Sequence, residues 1–183
     1  MNKQTYYVKE SLKLFLKYGI RAVTIGQITS HLNVSSKTLY GLFSDKAALV
    51  EAAYGLYRTN FDRDYEILYA QAENVASAML HFYQQLVQNL GRTNPNFYQD
   101  LANYFPQIWN DAEAYGIHRT QALLEQGVAE GIFVRGLNAS LCAETLTLLL
   151  RSMFEREEFA QHDSRLLLTN VLWPYVRGIC TPE

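Results

Sequence analysis

Six side chains within residues 35–46 share one chemical competence: Ser35, Ser36, Lys37, Thr38, Tyr40 and Lys46 all donate hydrogen bonds, and the two lysines add positive charge. Donors at that density suit a row of phosphate oxygens, with hydroxyls as neutral donors and ammonium groups as mobile cations. Lys37 can also reach the acceptor edge of a guanine in a major groove. Ser35 and Ser36 fall at the start of a short helical pattern, where free backbone N–H groups and the helix dipole favour an anion. Taken singly, each residue has a plainer reading: a serine there is a cap, a surface lysine is solvated, and a lone tyrosine is not diagnostic.

These side chains need elements to hold them. Val8, Leu12, Phe15 and Gly19 repeat at helical spacing and predict a first helix over residues 3–18, stopped by Gly19. Thr24 is placed to cap a second helix that buries Ile25, Ile28 and Leu32. The chain then turns through Leu32, Asn33 and Val34, where asparagine tolerates the left-handed backbone that a tight turn requires. Ser35 caps a third short helix running to about Phe43, with Leu39 and either Leu42 or Phe43 inward and Ser36, Lys37 and Tyr40 outward. Two short helices joined by a three-residue turn and braced by another make a helix-turn-helix, small enough to enter the ~12 Å major groove of DNA.

Charge is segregated to match. Net charge is −2 over 183 residues. Residues 1–50 carry seven basic and two acidic side chains, a balance of +5 that leaves −7 for residues 51–183, and no lysine follows Lys46. A basic module on an acidic remainder lets only one end approach a polyanion. With 49% hydrophobic residues, the chain can bury a full core without staples. No apolar run reaches the ~20 residues of a membrane span, and Lys3, Lys9, Glu10, Lys13 and Lys17 interrupt any signal-peptide pattern, so a cytoplasmic protein with no membrane association is expected. Cys142 and Cys180 read as small core residues of a reducing compartment.

The remainder is helical in period. Ser44 is expected to cap a long fourth helix through Tyr69, and Val75, Met79, Phe82, Leu86 and Leu90 mark a fifth, ending near Gly91. Asn94-Pro95 and Pro106 open two more before Gly131. Asn138 caps a helix whose apolar side runs through Leu141, Thr145, Leu148 or Leu149, Ser152 and Phe159, and the last helix starts at Asp163 or Ser164, with Pro174 expected to bend it. The expected fold class is all-α: about nine helices and no strands, an amino-terminal three-helix module followed by a larger helical domain.

Residues 8–54, VKESLKLFLKYGIRAVTIGQITSHLNVSSKTLYGLFSDKAALVEAAY, resemble the amino-terminal DNA-binding domain of the TetR family of bacterial transcriptional regulators. The resemblance is carried by Leu14, Phe15 and Gly19, by Thr24, Ile25 and Ile28, by the run from Val34 to Tyr40, and by Phe43, Lys46 and Leu49. Asn33 stands where the family usually has glycine, and Gly41-Leu42 where an aromatic residue is common. The later stretch GVAEGIFVRGLNASLCAETLTLLL is similar to family members as well, with less specific motifs. The resemblance implies a DNA-binding domain over 1–46 and a ligand-binding and dimerisation domain over 47–183. It further implies a homodimer through the last two helices, about 138–180. By motif position, Ser36 and Lys37 would approach base edges, while Thr24, Thr38, Tyr40 and Lys46 would hold phosphates. The function implied is a ligand-responsive regulator, a repressor on a palindromic double-stranded operator released by a small organic effector.

Aromatic residues crowd the middle of the chain, and Phe61, Tyr65, Tyr69, Phe82, Tyr83, Tyr104, Phe105 and Trp109 are the candidates to line an effector pocket, although most such residues simply fill cores. His81 and His118 lack partners at ligand spacing, so neither metal nor cofactor is expected. Two other classes stay open. An enzyme would need a nucleophile elbow, a phosphate loop or paired carboxylates, and none is found. A protein-interaction module with a purely structural helix-turn-helix would be indifferent to changes at Lys37 and Tyr40.

Overall fold

The computed structural model describes residues 2–155 and 164–182. Its helices are α1 (Lys3–Tyr18), α2 (Ile25–Leu32), α3 (Ser36–Tyr40), α4 (Lys46–Tyr69), α5 (Val75–Arg92), α6 (Pro95–Tyr104), α7 (Pro106–Ala129) and α8 (Ala139–Glu155). A last helix follows as α9 (Ser164–Leu167), a π-helical turn (Leu168–Leu172) and α10 (Trp173–Ile179). Among the described residues there is no strand, only one antiparallel bridge between Phe133 and Cys180. The expected end of the α8 stripe at Phe159 and the alternative start at Asp163 lie outside the described residues.

The chain forms two compact units, residues 1–62 with 93–109, and residues 63–92 with 110–183. In the first, the predicted stripe of α1 is buried, with Phe15 fully enclosed. Ile28 and Leu32 of α2 join it as expected, but Thr29 takes the place assigned to Ile25, its hydroxyl donating to the Gly26 carbonyl at 3.1 Å. Leu39 and Phe43 turn inward and Leu42 is exposed, because α3 stops at Tyr40 and a tight turn follows. Burying a side chain such as Leu39 contributes roughly 1.5–3 kcal/mol.

One helix start differs from expectation and another matches it. The cap of α4 is Asp45 rather than Ser44: its Oδ1 accepts from the Ala48 N–H at 2.8 Å, since Asp45 immediately precedes the first helical residue. Asn94 caps α6 as expected, accepting from Asn96 N–H at 2.9 Å ahead of Pro95. The same residue also ties α6 to the end of α1, its backbone N–H donating to Leu16 O at 2.9 Å and its Nδ2 to Lys17 O at 3.2 Å.

In the second unit the core gathers Tyr65, Met79, Phe82, Tyr83, Leu124, Phe133, Ala143, Leu146 and Leu172, and the last helix packs on α5. After α7 the chain reverses at Gly131 (φ +73°), and Ile132 and Phe133 both donate to the Gly127 carbonyl. Pro174 does not interrupt the last helix alone. A π-helical turn precedes it, in which Trp173 N–H reaches back to the Leu168 carbonyl, and Pro174 follows in the first turn of α10. Both cysteines are free and half-buried rather than fully enclosed.

Candidate nucleic-acid interface

The geometry of the α2–α3 unit is set from inside. Thr24 and Gln27 form a capping box: Thr24 Oγ1 accepts from Gln27 N–H at 3.2 Å, and Gln27 Oε1 accepts from Thr24 N–H at 2.7 Å. Replacing Thr24 by alanine is expected to cost about 1 kcal/mol of stability, read by urea unfolding. An unchanged midpoint would show that the cap contributes nothing to the fold.

At the other end of α2, Asn33 adopts φ 53° and ψ 47°, the left-handed conformation expected of the turn, and is the one non-glycine with positive φ among the described residues. The chain emerges extended at Ser35, whose Oγ accepts from Thr38 N–H at 3.1 Å and lies 2.8 Å from Thr38 Oγ1. The two hydroxyls therefore share one proton. If Ser35 donates it, Thr38 keeps its own hydrogen for an outside acceptor.

Leu39 anchors the buried side of α3 at 1% exposure, which leaves Ser36, Lys37 and Tyr40 on the outer side, Tyr40 at 48%. The result is a short helix that presents two polar side chains and a phenol outward from a rigid seat.

Lys46 is placed differently. Its Nζ donates to the Ile20 carbonyl at 2.7 Å, and the side chain is half-buried. Burial lowers the ammonium's proton affinity, with the nearby Asp100 carboxylate opposing the shift and Arg21 reinforcing it. Asp100 is itself buried and accepts from the Arg21 N–H at 2.7 Å. Arg21 lies 4.5 Å from the centre of the Tyr104 ring and donates to its hydroxyl. Gly19 completes this junction at φ +84°: a Cβ there would meet Asn96 Cβ at 2.9 Å.

Asp100 and Asn94 thus position the turn before α2, a role no sequence signal revealed, since Asp100 lies 79 residues from its partner. Gln27 was legible in principle, because Thr-x-x-Gln ahead of an apolar run is a capping-box pattern.

The aromatic candidates divide between the two units. Phe61, Tyr104, Phe105 and Trp109 belong to the first, where Phe61 and Trp109 are buried and Tyr104 is 51% exposed beside Arg21. Tyr65, Tyr69, Phe82 and Tyr83 belong to the second, where Tyr65 and Phe82 meet edge to face at 5.2 Å and Tyr69 donates to Gln126 Oε1 at 3.1 Å.

An all-α chain whose short, polar, outward helix is seated by a left-handed turn has the architecture of a helix-turn-helix transcriptional regulator. Residues 8–53 match the family of bacterial regulatory proteins, tetR family, so this segment is a TetR-type helix-turn-helix domain, and a helical domain follows it. Solved structures share the fold over nearly the whole chain. A transcriptional regulator from Cytophaga hutchinsonii is 18% identical with a TM-score of 0.78, covering 98% of this chain and 99% of that one. FadR from Bacillus subtilis, in complex with stearoyl-CoA, is 14% identical with a TM-score of 0.78, covering 97% and 100%. A cysteine mutant of the TetR-family regulator CifR, complexed with 26-bp operator DNA, is 12% identical with a TM-score of 0.73, covering 94% of each chain. No curated protein sequence matches. Among the described residues, no helix is long and apolar enough to cross a membrane.

Proposed function

We propose that the protein is a cytoplasmic, ligand-responsive repressor that reads a palindromic operator as a homodimer and is released by a small organic effector. The observation that carries this reading is the outward side of α3, with Ser36, Lys37 and Tyr40 exposed over a buried Leu39. In this reading residues 1–46 bind DNA and residues 47–183 bind the effector and pair the subunits. The solved relatives support both halves, since CifR is seen with operator DNA and the Bacillus subtilis FadR with stearoyl-CoA. Regulators of this family are not enzymes.

Ser36 and Lys37 approach base edges, and Tyr40 and Thr38 donate to phosphates. Lys46 joins them by exchanging the Ile20 carbonyl for a phosphate oxygen, an exchange its charge favours because a charged acceptor is the stronger partner. Thr24 contributes from the start of α2 while it holds the capping box. The effector alters the spacing of the two readers, so that one engages its half-site only at the expense of the other.

Selection from a random duplex library at moderate salt tests this directly. The native protein should enrich one palindrome, and a Lys37→Ala, Tyr40→Ala variant should bind it about tenfold or more weakly, each lost charged hydrogen bond costing about 1.5–3 kcal/mol. Equal enrichment by both proteins would mean that α3 does not read DNA.

A further inference from the structure

Among the described residues, the second unit holds two hydrogen-bond donors, on Tyr65 and Arg119, that meet no acceptor. Tyr65 is fully buried, and among the described residues its hydroxyl meets no acceptor. Arg119 lies across the Tyr65 ring, its guanidinium carbon 4.6 Å from the ring centre, and its Nε is likewise buried without a partner. Neighbouring groups do not compete for the place. Arg119 sends Nη2 outward to Glu66, whose side chain is 60% exposed, Tyr83 is engaged with Thr120 at 3.1 Å, and Tyr69 donates to Gln126. Phe82 and Tyr69 flank the Tyr65 ring with centroids at 5.2 and 5.9 Å.

A buried donor without an acceptor is unfavourable, so native structures rarely keep one without a use for it. Here the two belong to one stacked pair, Arg119 over the Tyr65 ring with Tyr69 and Phe82 beside it, and one of them belongs to a cation. We infer that Tyr65 and Arg119 form the polar end of the effector site and take a carboxylate or acyl oxygen carried on an apolar body, with the carboxylate bound more tightly. Arg119 Nε supplies a charge-assisted bond, Tyr65 a neutral one, and Phe82 and Tyr69 cover the apolar part. Burial pushes the Tyr65 phenol up to about 12, partly offset by the Arg119 charge, so it stays a donor at neutral pH. The inference rests on the reading of the second unit as the effector-binding part.

Removing the Tyr65 hydroxyl should act in opposite directions on the free and bound protein. Tyr65→Phe is expected to raise the Tm of the free protein by about 2–4 °C, because an unsatisfied buried group is gone. It should also weaken binding of 4-phenylbutyrate about tenfold or more, by calorimetry. Arg119→Lys, which keeps the charge and loses Nε, should weaken binding similarly. Methyl 4-phenylbutyrate, a neutral acceptor, should bind less tightly than the acid, and 4-phenylbutylamine, which offers no acceptor, should not compete. Failure of the acid to bind at millimolar concentration, equal binding by the amine, or a Tyr65→Phe variant with lower Tm and unchanged affinity would each overturn the inference. Operator release, measured alongside, separates it from the broader reading. Acid binding that leaves operator affinity unchanged overturns control by this site and keeps the site itself. Release by some other compound, with no acid binding, does the reverse.

Discussion

In the proposed homodimer, replacing Leu141 and Leu148 together by glutamate is expected to yield monomers and to abolish operator binding while leaving the fold intact. The two leucines sit seven residues apart on one side of α8, 60% and 64% exposed, whereas Ala143, Leu146 and Leu150 on its other side are buried in the second unit. The last helix adds Leu166 and Trp173, at 55% and 48%. Single exposed apolar residues are ordinary, but several on the two terminal helices fit the subunit contact proposed for them. A twofold axis uses every residue twice, so the four leucines of a pair contribute roughly 1.5–3 kcal/mol each before the cost of association. Losing that and opposing like charges should weaken the dimer by at least about a thousandfold. Sedimentation equilibrium reads the mass directly, and circular dichroism checks the fold. A native protein that is monomeric at micromolar concentration, or a variant that stays dimeric, would place the subunit contact elsewhere or nowhere.

The second large effect is internal. Gly127→Ala should destabilise the protein by about 2 kcal/mol, although alanine is the better helix former by about 1 kcal/mol. The reason is Phe133, which folds back across Gly127 and is fully buried there. A Cβ on residue 127 would overlap the Phe133 ring and approach Val75 Cγ1 at 2.9 Å. The Phe133 backbone is held close by its hydrogen bond to the Gly127 carbonyl, and its fully buried ring is enclosed by the core, so relieving the overlap disturbs that packing. At about 2–4 °C per kcal/mol for a chain of this size, Tm should fall by roughly 4–8 °C. Glycines with open surroundings, such as Gly116, make the control: Gly116→Ala should leave Tm unchanged or raise it. If Gly127→Ala proves as benign as Gly116→Ala, Phe133 does not pack as described.

What was legible in the sequence was whatever depends on near neighbours. The stripe from Val8 to Phe15, the caps at Thr24, Ser35 and Asn94, and the left-handed Asn33 are all local choices, and the structure contains each of them. Asp45 was hidden by its neighbour, since two adjacent residues can each cap a helix and only the true first turn decides between them. The inward turn of Thr29, with Ile25 only half-buried, is tertiary: a threonine whose hydroxyl donates to the Gly26 carbonyl can be buried without an unsatisfied donor. At the interface, residue types were readable but engagement was not. Nothing near Lys46 in the chain reveals that its ammonium rests on the Ile20 carbonyl, or that Asp100 faces it.

The first unit is discontinuous in the chain, needing residues 93–109 as well as 1–62. Asp100 reaches Arg21, and Asn94 reaches Leu16 and Lys17, only once both segments exist. During synthesis, then, the helix-turn-helix end is made first but completed late. At about 5–20 residues per second, its helices wait several seconds or more for the segment that braces them. A nascent chain stalled before α6 leaves the ribosome exit tunnel would therefore carry an incompletely braced first unit, even though every residue of the helix-turn-helix is already outside.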